Sequence, residues 1–189
     1  MRIIAGEYRS RPLKAVPGQS TRPTTDKIKE AMFNLIGPDL GKCQLALDFY
    51  AGSGALGIEA VSRGVDHAVL CEKSDRALRV ISENIQMTNE PDRFTVLGGP
   101  NRKRLSQWFR SGEEGFDLVF LDPPYKQADL SGDILWLGQE GMLADGCVIV
   151  CESDTGHVVP DQMDQLVLYK QRQYGMSIVS LYHYQARGE

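Results

Sequence analysis

Two short stretches of this 189-residue chain carry residue types that could do chemistry together. The first is Asp122-Pro123-Pro124-Tyr125, which follows the apolar run Phe116-Asp117-Leu118-Val119-Phe120-Leu121. A strand that reaches this tetrapeptide must stop. Pro124 holds Pro123 extended, and neither proline has an N–H for a sheet ladder. The outcome is a stiff shelf at a strand's carboxyl end, where open α/β sheets bind ligands. It offers the Asp122 carboxylate, backbone carbonyls and the flat face of Tyr125, groups that could hold and orient a substrate. Taken alone, it is also readable as a rigid strand exit with a surface tyrosine.

The second stretch is Gly52-Ser53-Gly54-Ala55-Leu56-Gly57, a G-x-G-x-x-G pattern between a strand-like and a helix-like segment, as the pattern requires. Glycines permit a tight turn and close backbone approach, and a helix N-terminus offers free N–H groups. Glu72 closes the next strand-like run, 18 residues after Gly54 (72 against 54), where a carboxylate can accept both hydroxyls of a ribose. Gly52, Gly54 and Glu72 therefore predict a ribose-bearing cofactor rather than mere close packing of a turn. Asp48, just ahead of the glycines, discriminates among cofactors. Its charge repels a pyrophosphate and suits an ammonium. S-adenosylmethionine has an ammonium, a ribose and no phosphate, whereas a nicotinamide dinucleotide finds Asp48 awkward. The plainer role for Asp48 is a strand-end carboxylate that holds the glycine turn.

The surrounding segments must position these groups. From residue 43 the pattern alternates: strand at Cys43–Phe49, helix from the glycine turn to about Gly64, strand at Asp66–Cys71, and a helix capped by Ser74 with Leu78, Ile81 and Ile85. A strand at Arg93–Leu97, a short helix with Leu105, Trp108 and Phe109, and the Phe116–Leu121 strand follow. A helix with Leu130, Ile134, Leu135 and Leu137, a strand at Cys147–Cys151 and two β-like runs, Gln165–Tyr169 and Met176–Tyr184, complete the order. Alternating β and α implies a parallel sheet covered on both faces. The expected fold is α/β: a doubly wound Rossmann-like sheet, mostly parallel, with an antiparallel C-terminal edge pair and a small N-terminal arm or hairpin. In that arm Pro17-Gly18 marks a turn, and Thr24 or Thr25 can cap a helix bearing Ile28, Met32, Leu35 and Ile36 that Gly37-Pro38 ends. The division expected is residues 1–40 as a basic arm and helix, and 41–189 as the catalytic domain.

Composition is that of one ordinary globular unit, 42% hydrophobic and 24% charged. No apolar run reaches the roughly 18 residues of a membrane span, and the N-terminus has no signal-peptide apolar region. Cys43, Cys71, Cys147 and Cys151 lie in or beside apolar runs and form no C-x-x-C pair, which suits buried reduced thiols in a cytoplasmic protein and no metal site. His67, His157 and His183 are scattered without ligand spacing. The net charge of −4 conceals an asymmetry: residues 1–42 hold eight basic and four acidic side chains, net +4, leaving −8 for the remainder. A basic arm on an acidic body suggests that the arm touches a polyanion.

Together these residues carry a family resemblance. Asp48-Phe49-Tyr50-Ala51-Gly52-Ser53-Gly54 resembles the first motif of class I S-adenosylmethionine-dependent methyltransferases, and Asp122-Pro123-Pro124-Tyr125 their amino-methyltransferase motif. With Arg2-Ile3-Ile4-Ala5-Gly6, Arg22-Pro23-Thr24-Thr25-Asp26-Lys27 and the late Tyr174-Gly175, nearly the whole chain is similar to the bacterial 16S rRNA guanine-N2 methyltransferases of the RsmD family. The resemblance implies methylation of the N2 amine of one guanine in small-subunit rRNA, with S-adenosylmethionine as cofactor. The family commonly has a polar residue, often Asp, after the third strand, reaching the cofactor's adenine amine. Pro100 falls near that place here, and Asn101 is the candidate substitute.

The amine chemistry makes demands that these residues suit. A guanine N2 amine is a poor nucleophile, because its lone pair is delocalised into the ring. Asp122 and the carbonyl of Pro123 could accept its two N–H groups and turn the lone pair toward the methyl, while Tyr125 stacks on the base. A base inside a helix cannot reach such a shelf, so it must be unpaired or flipped out. Arg2, Arg9, Arg11, Lys14 and Arg22 could hold phosphates, and Tyr8 a base or ribose. Arg22 has a second possible role, on the cofactor's carboxylate. Arg102-Lys103-Arg104 is better read as a solvated helix face. The expected partner is 16S rRNA or the small ribosomal subunit, with no membrane and a monomeric state. The alternatives are another RNA base or DNA adenine N6 as acceptor, a nicotinamide-dependent oxidoreductase, and a non-catalytic RNA-binding protein.

Overall fold

The computed structural model describes residues 1–17, 26–110, 112–123, 129–156 and 160–186. Its helices are α1 (Asp26–Ile36), α2 (Ala55–Ser62), α3 (Asp75–Gln86), α4 (Asn101–Phe109) and α5 (Leu130–Gln139). Its strands are β1 (Leu45–Asp48), β2 (His67–Glu72), β3 (Phe94–Gly98), β4 (Phe116–Leu121), β5 (Leu143–Asp154), β6 (Gln162–Met163), β7 (Leu166–Tyr174) and β8 (Ser177–Tyr184). They form one sheet in the order β3-β2-β1-β4-β5-β8-β7-β6. β1 to β5 are parallel to one another, and β8 pairs antiparallel with both β5 and β7. The expected C-terminal edge pair is thus a hairpin whose second strand slots in against β5. Gly175, at φ +64°, makes its turn. β5 extends beyond the apolar run Cys147–Cys151 at both ends, because β4 pairs with it at Leu143 and β8 pairs with it as far as Asp154.

Strand alternation sorts side chains into two core layers. Ala46, Ala68, Leu70, Leu118, Phe120 and Val150 face one layer with α1, α2 and α3. Leu47, Val69, Val119, Leu121, Ile149 and Cys151 face the other with α4 and α5. Strands covered on both sides read as continuous apolar runs, which is how they appear in the sequence. All four cysteines are free and buried. No helix among the described residues is long and apolar enough to cross a membrane.

The N-terminal arm is a hairpin. Arg2 bridges Pro12, with Ile3 N donating to Arg11 O at 3.0 Å and Leu13 N to Met1 O at 3.0 Å. It does not stand apart: Ile3, Tyr8 and Leu13 share one core with α1, α2 and α3. The expected division after residue 40 therefore has no counterpart in the packing. α2 is buried on every side because the arm lies along the face that the sheet leaves uncovered. Gly6 allows that approach. Its φ is +83°, and a Cβ there would sit 1.7 Å from the Ser62 carbonyl oxygen. The expected caps Thr24 and Thr25 lie outside the described residues; Ser74 caps α3, accepting from Ala77 N at 3.4 Å.

Candidate active site

The carboxyl ends of β1, β2, β3 and β4 meet at one edge of the sheet. Asp48 pairs in register with Phe120, and Phe49 N donates to Phe120 O at 3.1 Å, so the exit from β1 lies beside the exit from β4. The glycine turn follows β1, and Asp122 follows β4 by a single residue. The two stretches that sequence picks out therefore leave adjacent strands, which lie about 4.8 Å apart in a sheet. Asp122 is half-buried and Pro123 buried; Pro124 and Tyr125 lie outside the described residues, as does Arg22.

Around the turn, Ala51 N donates to Cys71 O at 3.0 Å and Gly52 N to Glu72 Oε2 at 2.9 Å, lashing it to the end of β2. Gly52 and Gly54 have φ of +55° and +78°. A Cβ at Gly54 would meet Leu70 at 3.0 Å, whereas one at Gly52 would meet nothing closer than 3.9 Å. Gly54 thus serves packing, and Gly52 leaves open surface for a ligand. Glu72 Oε1 also accepts from Lys73 N and Ser74 N, each at 2.8 Å. A carboxylate has about four acceptor sites, so the remaining capacity at Glu72 suits one ribose hydroxyl rather than a bidentate pair.

Asp48 is only 1% exposed, and its Oδ2 accepts from Gly57 N at 3.0 Å. Its Oδ1 is buried with no hydrogen-bond partner. Burial pushes its carboxyl up to about 7; the Gly57 N–H opposes this and the Glu72 charge adds to it. Asn101 begins α4 and donates through its amide to Phe49 O, while its Oδ1 is likewise buried without a partner. Orphaned buried acceptors are uncommon and costly. Two of them, at the end of β1 and just after β3, fit a ligand that brings donors to both places. The ammonium and adenine amine of S-adenosylmethionine are such donors.

Several side chains that sequence reasoning assigned to RNA are used within the fold. Tyr8 is 1% exposed, and its hydroxyl donates to Glu90; burial and that bond push its ionisation up to about 12. It is a core residue and does not present a ring to a base. Arg11 donates to the carbonyls of Met87 and Thr88 at 2.7 and 3.0 Å, closing the C-terminal end of α3. Arg2 lies near Asp26 at 3.9 Å, and Lys14 pairs with Glu83 at 3.0 Å, both exposed pairs that RNA could displace. Arg9 is exposed.

Other polar residues gain roles that no local pattern announced. Glu59 and Lys29, both 0% exposed, pair at 3.1 Å. Glu59 also accepts from Ile4 N, Ala5 N and Arg63 Nε at 2.8, 3.0 and 2.7 Å, so one carboxylate pins the arm to α2. Burial lowers the Lys29 ammonium's pKa, and Glu59 opposes that shift. Asn84, buried on α3, donates to Ser53 O at 2.9 Å and to Lys14 O at 3.0 Å and accepts from Lys14 N at 2.9 Å. It joins the arm to the glycine turn. Arg102, expected on a solvated face, donates to Asp133 Oδ1 at 2.9 and 2.7 Å and lies over the Trp136 ring. Tyr50 donates to the other oxygen of Asp133, so α5, which follows the shelf, is tied to the exit of β1. His67 is structural, bonded to Thr95 at 2.8 Å; His183 stacks on Tyr169; His157 lies outside the described residues.

A parallel sheet ordered 3-2-1-4-5 with an antiparallel strand inserted beside β5, a glycine turn after β1 and acidic residues closing β1 and β2 define the Rossmann-like fold of class I methyltransferases. Residues 1–183 match the family described as Conserved hypothetical protein 95. The chain belongs to this family, that of the RsmD ribosomal RNA small subunit methyltransferases. It is 39% identical to YlbH of Bacillus subtilis, a candidate rRNA methyltransferase, over 96% of this chain and 98% of that protein. It is 32% identical to the ribosomal RNA small subunit methyltransferase D of Escherichia coli K12, over 100% of this chain and 92% of that protein. The solved structure of a candidate methyltransferase from Escherichia coli, yhhF, superposes with a TM-score of 0.83 at 30% identity, covering 99% of both chains.

Proposed function

We propose that this chain transfers a methyl group from S-adenosylmethionine to the N2 amine of a guanine in 16S rRNA. The observation that carries the reading is the adjacency of the two strand exits: the glycine turn leaves β1 beside Asp122, which leaves β4. The relatives support the same reading, since one of them, alike over the full length of this chain, is named for methylating small-subunit rRNA.

Bound at the glycine turn, S-adenosylmethionine supplies an electrophilic methyl on a positively charged sulfur. The residues of this chain do the rest. Asp48, Gly52, Glu72 and Asn101 would hold the cofactor, with Gly54 shaping the turn beneath it and Arg22 a further candidate for its carboxylate. Asp122 and the Pro123 carbonyl accept the two N–H groups of the amine, so that its lone pair faces the methyl. Tyr125 fixes the plane of the ring. On accepting the methyl, the amine nitrogen would gain positive charge. Asp122 stabilises that charge until one proton leaves.

The test is methylation of undermodified small subunits, and of free 16S rRNA, with labelled S-adenosylmethionine, followed by digestion and identification of the labelled nucleoside. The expected product is N2-methylguanosine at one site. Label on adenine N6, or failure to label either substrate, overturns the proposal.

A further inference from the structure

We infer that the cleft between the arm and α3 is a docking groove for the phosphodiester backbone of the substrate RNA, with Arg76 and Arg79 of α3 supplying charge that the arm alone cannot. This rests on the rRNA reading above and specifies where the strand runs. The cleft has a volume of about 360 Å³ and is walled by Lys14 and Pro17 of the arm and by Arg76, Arg79 and Glu83 of α3. Three cations face one carboxylate there. Arg79 is exposed at the middle of this wall.

The groove is built, not incidental. Arg76 Nη1 donates to Pro17 O at 3.1 Å, and Asn84 holds both the N–H and the carbonyl of Lys14. These bonds fix the arm's exit alongside α3. The same Asn84 amide reaches Ser53 O in the glycine turn, so the groove is joined to the cofactor half of the site. The need for such a surface follows from what the fold consumes. With Tyr8 buried and Arg11 spent on helix carbonyls, the arm keeps few groups for a strand of RNA. Lys14 is shared between Glu83 and the groove. An exposed ion pair of that kind is worth little and yields readily to a phosphate. A polyanion is the chemistry that complements this wall, and the substrate RNA is the polyanion that must pass it.

The experiment measures binding of a 16S rRNA fragment to the full chain across 50–300 mM salt. Arg79→Gln is the clean variant, because it removes charge and keeps the stem; Arg76→Gln/Arg79→Gln is the stronger one. Arg110→Gln, an exposed cation at the end of α4 on the opposite face of the sheet, is the control. Each lost phosphate contact flattens the slope of log affinity against log salt by about 0.7 for single-stranded RNA, or roughly fivefold in affinity at 0.1 M. The expected results are about fivefold for Arg79→Gln and a larger loss for the double variant, which also removes the Arg76 bond to Pro17 O, with S-adenosylmethionine affinity unchanged and Arg110→Gln like wild type. A wild-type slope in Arg79→Gln and in the double variant overturns the groove while leaving the rRNA reading intact. No salt-dependent binding of rRNA by the wild-type chain overturns both.

Discussion

The protonation of Asp48 gives the most quantitative test of the cofactor site. Buried beneath the glycine turn, with one oxygen on Gly57 N and the other without a partner, its carboxyl is raised to about 7. In the unfolded chain an aspartate titrates near ~3.9. Between those values the native protein keeps a proton that the unfolded chain has lost. Asp48's contribution to the stability of the cofactor-free protein therefore declines as pH rises from about 4 to about 7, by roughly 4 kcal/mol in all. An ammonium brought to Oδ1 selects the ionised form. From pH 5.5 to 7 the ionised share rises from about 3% to about half, so the affinity for S-adenosylmethionine should rise roughly 15-fold. That window lies below the titration of an α-ammonium, near ~7.8. Calorimetry in two buffers of different ionisation heat should also find release of about 0.9 proton per cofactor bound at pH 6. Asp48→Asn should bind more weakly at pH 7 with a nearly flat profile. A flat wild-type profile, or a full slope in the variant, would refute the pairing of Asp48 with the cofactor's cation.

Three further outcomes are expected. Asp122→Ala should lower kcat by about 10²–10³ while the cofactor affinity stays within about twofold, measured by single-turnover methylation and calorimetry. Gly6→Ala should lift the arm from α2, since its Cβ would lie 1.7 Å from Ser62 O. Limited proteolysis should cut the arm first, with at least ~2 kcal/mol lost in urea unfolding. Glu59→Ala leaves the Lys29 ammonium buried with no counter-charge beyond the Arg2 carbonyl and strands the N–H groups of Ile4 and Ala5. It should cost about 3–5 kcal/mol in urea unfolding, and a Glu59→Leu/Lys29→Met pair should cost less than the single change.

The placement of candidate groups at the strand ends was legible in the sequence because it is local. A glycine turn after an apolar run, Glu72 closing the next run and Asp122 stopping another each follow from a few neighbouring residues, whose backbone preferences the chain carries wherever it goes. The alternation of elements was legible for the same reason, and it implied a parallel sheet with those ends along one edge. Burial of polar groups was not legible. Nothing local marks Lys29 and Glu59 for burial, while Tyr8 reads as a ring for a base and Arg11 as a cation for a phosphate. Each became internal only when the arm closed over α2 and α3. Asn84 had no signal at all, since its partners Ser53 and Lys14 are distant in the chain. The sequence by itself determined which chemical groups stand at the ends of the strands. The tertiary structure alone decided which charges remain exposed, because a charge is spent or kept according to which faces meet, and that depends on packing between segments far apart in the chain.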